Sequence, residues 1–218
     1  MNNTNRRLSL PSAIGLAFLV AACGSGTTST ATSIATSSTA STPTRPSAST
    51  VAGTGTLTAS CTAPAVATTA QTDGPYYKAG APQVTTLVQS GMAGSRITLT
   101  GYVLTTDCTP IANASVNIWQ ADATGTYDNT GYTLRGYVLT DASGHFAVET
   151  IVPGEYPGRT EHIHVKVTPP GGPTLTTQLY FPGVTANDSD GIYSPDLLLK
   201  ITQSGNTEAA AFTFVLAT

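Results

Sequence analysis

Charged side chains are scarce in this chain of 218 residues, because Asp, Glu, Lys and Arg together make up only 10% of it. An average soluble domain carries roughly 25% of these residues. The formal net charge is −3, and the sequence has no run of Lys or Arg. Nucleic-acid binding is therefore not expected, because it needs a cluster of basic side chains that replaces the counterions of the phosphates.

The chain also lacks an apolar run of about 20 residues, the length that a helix needs to cross a bilayer. The apolar stretch from Ala13 to Ala22 is shorter, and Arg6 and Arg7 precede it. A basic segment followed by a short apolar segment is typical of a secretory signal. We therefore expect an exported protein, and the arginine pair leaves both general and twin-arginine export open.

The signal ends in Val20-Ala21-Ala22-Cys23-Gly24, where small residues precede a cysteine. This arrangement resembles the lipobox of bacterial lipoproteins, which implies that residues 1–23 end in a lipidated Cys23. Such an anchor would hold the protein on the outer face of a bacterial membrane, and it would be the only membrane attachment. The alternative is an ordinary signal peptide cut near Ala22, which would give a secreted or periplasmic protein.

Residues 24–60 consist almost entirely of Ser, Thr, Ala, Gly and Pro. This composition cannot bury a core, so the segment is expected to be a flexible tether. The folded domain is expected over residues 61–218, which contain the two remaining cysteines, Cys61 and Cys108. An oxidising compartment favours a disulfide between them. A metal-binding role is the alternative, but neither cysteine has another soft ligand near it in the sequence.

No segment of the domain has a helical period over more than two turns. Several short segments instead alternate apolar and polar residues, and turn signals such as Thr140–Gly144 and Pro169–Pro173 separate them. This pattern predicts an all-β fold, an antiparallel β-sandwich with long loops. The predicted strands are 97–104, 114–119, 134–140, 146–152, 163–167, 175–181 and 212–216.

Two of the three histidines, His162 and His164, are two residues apart, so in a strand they project from the same face. Two imidazoles on one face can bind a metal, although such a pair alone is more often incidental. Tyr127 and Tyr156 lie in turns near other predicted strands and could supply hard phenolate oxygens, which suit iron(III). The alternative for both tyrosines is packing in the core or at its rim. His145 follows a turn and is expected to be exposed.

A set of motifs occurs in an order that resembles the intradiol ring-cleavage dioxygenases, which include protocatechuate 3,4-dioxygenase and catechol 1,2-dioxygenase. The resemblance covers about residues 61–200 and implies the sandwich fold of that family. The motifs are Thr72-Asp73-Gly74-Pro75-Tyr76-Tyr77, Pro110–Ala114 before Trp119, Gly125-Thr126-Tyr127, Leu134-Arg135-Gly136, Thr140-Asp141 with Gly144, Pro153-Gly154-Glu155-Tyr156-Pro157, Arg159 with His162-Ile163-His164, and Gln178-Leu179-Tyr180-Phe181.

The resemblance implies a mononuclear, non-haem Fe(III) cofactor held by four protein ligands. Tyr127 and His162 match the equatorial ligands of the family, and Tyr156 and His164 match the axial pair. The family's axial tyrosinate leaves the metal when a catechol binds, so Tyr156 is the expected mobile ligand.

The same resemblance implies roles for residues around the metal. Arg159 matches the active-site arginine, whose fixed positive charge stabilises charge that develops on the bound ring. Gln178 matches a hydrogen-bonding residue near the site. Thr72, Pro75 and Tyr76 match the segment that lines the substrate pocket. The residue-level alternatives are a surface position for Arg159 and simple packing for Gln178.

The implied activity is intradiol cleavage of a catechol-type aromatic diol by O2, which gives a cis,cis-muconate-type dicarboxylic acid. The partners of the protein would then be this small aromatic substrate and O2. A second interpretation is a non-catalytic β-sandwich module for adhesion or binding at the cell surface, and a third is a relative that binds iron without turnover. The complete set of two tyrosines and two histidines favours the enzyme, because a binding module does not need it.

Overall fold

The structure, a computed structural model, describes residues 59–204 and 207–217. The predicted signal peptide with Cys23 and residues 24–58 of the predicted tether lie outside the described residues. Two short 3-10 helices, Thr185–Ser189 and Pro195–Leu197, are the only helices in the described part, and neither is long enough to cross a membrane. The strands are β1 (Arg96–Thr105), β2 (Ser115–Trp119), β3 (Arg135–Leu139), β4 (His145–Ile151), β5 (His162–Thr168), β6 (Leu175–Tyr180), β7 (Lys200–Ser204) and β8 (Thr207–Leu216).

These strands form two four-stranded sheets, in the orders β4-β1-β8-β7 and β3-β2-β5-β6. The predicted all-β sandwich is confirmed. Strand pairing is antiparallel in both sheets except between β1 and β8, which run parallel. A parallel pair needs a long connection between its strands, and here the whole second sheet lies between β1 and β8 in sequence.

The main apolar core contains residues from both sheets, and a smaller cluster holds Trp119, Ala121 and Tyr127. In β5, Ile163, Val165 and Val167 face this core and are fully buried. Val116 and Ile118 of β2 lie beside them on the same face. Because strand side chains alternate between faces, the residues between these positions project from the outer face of the sheet. His162 and His164 are therefore on the outer face, as the sequence predicts.

The segment before β1 covers part of that outer face. A disulfide anchors the start of this segment, since it joins Cys61 to Cys108, whose Cα atoms are 5.8 Å apart. Farther along, the backbone N–H of Gln71 donates to the carbonyl of Thr176 in β6, at 2.8 Å. The next residues, 72–78, run over the outer face of the second sheet and contact side chains of β3, β5 and β6. We call residues 72–78 the covering segment.

The third histidine belongs to the other sheet. His145 begins β4, and its side chain is about one-third exposed, at 32%. Its Nε2 atom lies 2.9 Å from the hydroxyl of Thr100, and its ring packs against that of Tyr102 on the neighbouring strand. His145 was expected to be exposed, but these cross-strand neighbours cover the ring in part and leave it half-buried.

Candidate metal centre

One row of paired residues across the sheet β3-β2-β5-β6 carries four polar or aromatic side chains. Trp119 is paired with Arg135 on one side and with His164 on the other. Gln178 is paired with His164 from β6. Paired residues project from the same face, so the four side chains lie next to one another on the outer face. None is more than 2% exposed, and we call this set the polar row.

Three potential ligand atoms converge beside the polar row. The Nε2 atoms of His162 and His164 are 3.2 Å apart, and the Tyr127 hydroxyl lies 3.4 Å from His162 Nε2. The Nδ1 atom of His162 is 2.6 Å from the carbonyl oxygen of Thr160, which can only accept a hydrogen bond. The proton of a neutral His162 is therefore on Nδ1, and Nε2 has a free lone pair that can bind a metal.

Two tightly packed loops bring Tyr127 to this position. The Asp122 carboxylate accepts hydrogen bonds from the backbone N–H groups of Thr124 and Thr126, which close a turn just before Tyr127. Gly125 in this turn lies so close to the backbone of Glu155 that a Cβ atom would be 2.1 Å from its carbonyl oxygen. Only glycine allows this approach, which holds the loop of Tyr127 against the loop of Tyr156.

Tyr156 and Arg159 are the ends of a tight turn. Pro157 and Gly158 occupy its centre, and Gly158 has a φ of +81°, as a type II turn requires. The N–H of Arg159 donates to the carbonyl of Tyr156 at 2.8 Å. The turn places the Arg159 Nη1 atom 3.3 Å from the Tyr156 hydroxyl, to which it donates.

Arg159 is fixed by two further partners. Its Nε atom donates to the Asp190 carboxylate at 2.9 Å, and its Nη2 atom donates to the amide oxygen of Gln178. Gln178 in turn donates to the carbonyl of Thr72 at 3.1 Å. The three predicted residues Arg159, Gln178 and Tyr156 are thus joined in one hydrogen-bonded network. Asp190 also belongs to this network, and the sequence did not predict it.

The protonation of the cluster follows from its burial. Burial is the main cause that lowers the pKa of His162 to about 4, and the positive charge of Arg159 is the second. Burial, and then His162, lower the pKa of His164 well below its ordinary value of 6.5. Burial, and then Tyr156, raise the pKa of the Tyr127 hydroxyl above 10.0, and burial also raises the pKa of Tyr156. Both imidazoles are therefore neutral at pH 7, and the two phenols ionise only beside a strong cation.

The residues of the cluster fit the iron(III) ion that the sequence predicts. In the described residues, three buried side-chain nitrogens lack a hydrogen-bond partner, and all three belong to the polar row: Trp119 Nε1, one Nη of Arg135 and His164 Nδ1. Unpartnered groups of this kind concentrate at functional sites. The described residues hold no group of three or more His, Cys, Asp or Glu placed for a metal. A metal held here would therefore need the tyrosine oxygens as well as the imidazoles, and a mixed set of nitrogen and anionic oxygen suits iron(III).

The covering segment contains the three residues predicted to line the substrate pocket. Tyr76 stacks on the Tyr127 ring at a centroid distance of 4.4 Å. The Thr72 hydroxyl accepts a hydrogen bond from the N–H of Gly74, at 3.2 Å, and its side chain is exposed. Pro75 is exposed in the same turn. Two of the three are therefore exposed, whereas Tyr76 is half-buried against the Tyr127 ring.

Two charged residues near the cluster were not predicted as site residues. Arg135 donates to the carbonyls of Tyr76 and Asp128, and its guanidinium lies 5.8 Å from the centroid of the Tyr127 ring. Asp190 accepts from Arg159 and from the backbone N–H of Thr160. Arg135 belongs to the motif Leu134-Arg135-Gly136, but the sequence assigned it no role. Asp190 had no signal in the sequence, because it reaches the site from a loop 31 residues beyond Arg159.

Comparison with known proteins gives a consistent result. A family model described as Dioxygenase matches residues 72–217. The chain is 30% identical over 171 residues to a chlorocatechol 1,2-dioxygenase of Pseudomonas sp. (strain P51), covering 66% of this chain and 68% of that protein. A hydroxyquinol 1,2-dioxygenase of Nocardioides simplex is 29% identical, but only 54% of its length is covered.

Solved structures match as well. The dioxygenase domain of a dioxygenase–carbohydrate-binding fusion protein from Streptomyces sp. SirexAA-E is 46% identical, with a TM-score of 0.68, covering 70% of this chain and 99% of that chain. The 3-chlorocatechol 1,2-dioxygenase from Rhodococcus opacus 1CP is 30% identical, with a TM-score of 0.64. The match covers 69% of this chain and 73% of that chain. The chain described here belongs to the intradiol dioxygenase family.

Proposed function

We propose that this protein cleaves the ring of a catechol-type aromatic in the intradiol manner, using O2 at a mononuclear, non-haem Fe(III) ion. The product would be a cis,cis-muconate-type dicarboxylic acid that contains both atoms of O2, so no external reductant is needed. The observation that carries the proposal is the convergence of Tyr127, His162 and His164 within 3.4 Å, beside Tyr156. The names of the relatives, which act on catechols, support the substrate class.

Tyr127, Tyr156, His162 and His164 would hold the metal. Bound there, iron(III) would supply Lewis acidity toward a catechol and activate its ring toward O2. Two phenolate ligands and two neutral imidazoles leave the ion with a small net positive charge. This charge balance suits a buried site, because burial of unpaired charge is costly.

Tyr156 is the ligand that fits a proton-accepting role. It lies on the turn next to Arg159 and is less buried than Tyr127, so it can move more easily. As a phenolate, Tyr156 would accept a proton at its own oxygen from a hydroxyl of the incoming catechol. Arg159 donates to that oxygen from 3.3 Å and would stabilise the phenolate before the transfer.

Arg159 and Gln178 would act on the substrate side. The guanidinium is held by Asp190 on one edge and by Gln178 on the other, so its position is fixed before substrate binds. A fixed cation stabilises negative charge on the ring without the cost of reorganisation. Tyr76, stacked on Tyr127, provides an aromatic surface at the mouth of the site.

The experiment measures iron content, the visible spectrum and O2 uptake of the purified protein with a panel of catechols. We expect about one iron per chain and a red-brown tyrosinate-to-iron(III) band that shifts when catechol binds. Tyr156→Phe should keep the iron, change the band and slow turnover by at least about 100-fold, the lower range for loss of a general base. Tyr137→Phe, at a half-buried tyrosine outside the four ligands, is the matched control. A colourless protein that stays inactive after reconstitution with iron would refute the proposal.

We also propose, from the sequence alone, that the protein is exported and that Cys23 carries a lipid anchor. The oxidised pair Cys61–Cys108 is consistent with an oxidising compartment. Mass spectrometry of the mature N-terminus tests this directly, since it distinguishes a diacylglyceryl group on Cys23 from an unmodified end near Ala22.

A further inference from the structure

The two histidines of the candidate centre are oriented by different means. His162 is held by a hydrogen bond from Nδ1 to the carbonyl of Thr160, at 2.6 Å. Metal-binding histidines usually have such a partner on the second nitrogen, and it fixes the plane of the ring. His164 Nδ1 is buried and has no partner among the described residues. Its Nε2 atom lies 3.2 Å from His162 Nε2, but no hydrogen bond at Nδ1 limits rotation of the His164 ring about its last side-chain bond.

Packing surrounds the His164 ring instead. The ring of Trp119 stacks on it at a centroid distance of 4.8 Å and an interplanar angle of 9°. At the Cε1 end of the ring lies Gly74 of the covering segment, where a Cβ atom would be only 3.1 Å from His164 Cε1. A Cβ atom at Gly74 would therefore crowd the ring, which would have to shift by a few tenths of an ångström from the observed orientation.

A chain of contacts fixes Trp119 in turn. Tyr77 packs edge-on against Trp119, with ring centroids 4.9 Å apart. The Lys166 ammonium lies 3.7 Å from the centroid of the Tyr77 ring and forms an ion pair of 2.7 Å with Asp73. Residues 73, 74 and 77 all belong to the covering segment, so this one segment contacts both the His164 ring and the side chains that support Trp119.

We propose that Trp119 and Gly74 are positioning residues, which form a slot that fixes the plane of His164 so that Nε2 faces His162 and Tyr127. The slot does for His164 what the Thr160 carbonyl does for His162. This inference rests on the proposed function, since it assigns His164 to the metal, but the slot itself can be tested without metal.

The test compares Gly74→Ala with Gly171→Ala. Both glycines have a positive φ, +65° and +71°, so alanine introduces similar backbone strain at either position. A Cβ atom at Gly171 meets nothing within 4 Å, whereas a Cβ atom at Gly74 meets the His164 ring. The difference between the two variants therefore isolates crowding of the ring.

Two measurements are made on each variant. Trp119 is the only tryptophan of the chain, so the fluorescence of the metal-free protein reports on the stack. We expect a changed emission spectrum in Gly74→Ala and the wild-type spectrum in Gly171→Ala. Titration with ferrous sulfate in air, followed at the tyrosinate band, should give about 10- to 100-fold weaker iron binding in Gly74→Ala, the usual effect of losing support of a ligand. Gly171→Ala should bind iron as the wild type does.

Substitution of Trp119 provides the second arm, which does not depend on backbone strain. Trp119→Phe retains a flat ring and should keep iron affinity within a few-fold of wild type, whereas Trp119→Leu should weaken it about 10- to 100-fold. Equal iron affinity in Phe and Leu variants, or identical behaviour of the two alanine variants, would overturn the slot. If the wild type itself binds no iron, the proposed function fails, and an unchanged fluorescence spectrum in Gly74→Ala would separately overturn the slot.

Discussion

The outer faces of the two sheets differ, although both follow the same alternation of apolar and other residues. On the sheet β4-β1-β8-β7 the outer face is partly open to solvent, and Ala147 and Glu149 of β4 are exposed. On the sheet β3-β2-β5-β6 the covering segment and the loops of Tyr127 and Tyr156 bury the part of the outer face that carries the polar row. His164 and Gln178 there are 0% exposed.

This difference separates the structural role of a sheet from its functional role. Polar groups on an open face are solvated by water. On a covered face they destabilise the fold unless they form hydrogen bonds with other groups. The three unpartnered nitrogens of the described residues are all on the covered face. A covered polar face therefore has a cost that a bound ligand can offset, and it is the better place to look for chemistry.

The largest expected effect separates two histidines, one on each outer face. His162→Ala removes a proposed ligand and should weaken iron binding by more than about 100-fold, because loss of a ligand's supporting partner alone costs about 10- to 100-fold. His145→Ala, on the open face, should leave iron affinity unchanged. Iron titration of both variants tests this, and full iron occupancy in His162→Ala would show that the ligand assignment is wrong.

The second effect concerns the charge that the covered face supplies. Arg159→Lys keeps the positive charge but loses the planar arrangement that contacts Asp190, Gln178 and Tyr156 together. We expect turnover to fall by about 100-fold or more, the loss seen when a fixed electrostatic donor is removed. Iron content should stay near wild type. The matched control is Lys200→Arg on the other sheet, and a similar loss of turnover there would contradict the assignment.

The smallest effect is on acid stability. Burial acts to raise the pKa of Asp190, but the N–H of Ile192, Arg159 and the N–H of Thr160 together hold it below its ordinary value of 3.8. A carboxylate with a lowered pKa stabilises the fold above pH 3.8, and this contribution is lost as the pH falls through the folded-state pKa. Asp190→Asn should therefore lower the free energy of unfolding at pH 7, and its deficit relative to wild type should shrink below pH 3.8.

Asp141, on the turn before β4, sharpens this comparison. Its pKa is also lowered, mainly by the hydroxyl of Ser143, but its side chain is 58% exposed. Because solvent screens an exposed carboxylate, Asp141→Asn should change the unfolding free energy less than Asp190→Asn. Urea unfolding at pH 7 and pH 3 measures both, and an equal deficit in the two variants would contradict the distinction between the faces.

The sequence predicts most of the strands because most of them alternate clearly. Each of the seven predicted segments overlaps a strand. It did not predict β7 or the first half of β8, where Thr207–Ala211 contains three consecutive alanines and Lys200–Ser204 has a single apolar residue. Such segments become strands through their neighbours, and here β8 gains a parallel partner in β1. Local patterning contains no signal for that pairing.

The site was predicted unevenly for a related reason. His162, His164 and Arg159 lie close together in the sequence, within a motif of the family, and could be assigned by resemblance. The structure brings them together with Tyr127 and Tyr156. The ligand assignment itself stays a prediction. Partners that arrive from elsewhere in the chain, such as Asp190, were invisible, because the contact depends on how a loop folds back.

The pairing of His164 with Trp119 and Gln178 has a consequence for how this protein can vary. Because the core and the candidate centre occupy opposite faces of the same strands, a shift of β5 by one residue would exchange His164 for Ile163 or Val165 at that place. Insertions in the turn 169–174 leave the pairing untouched, whereas a single inserted residue inside β5 would turn the site inward and the core outward. New substrate preferences are therefore accessible through the loops, while the strands tolerate replacement of side chains but not a change of length.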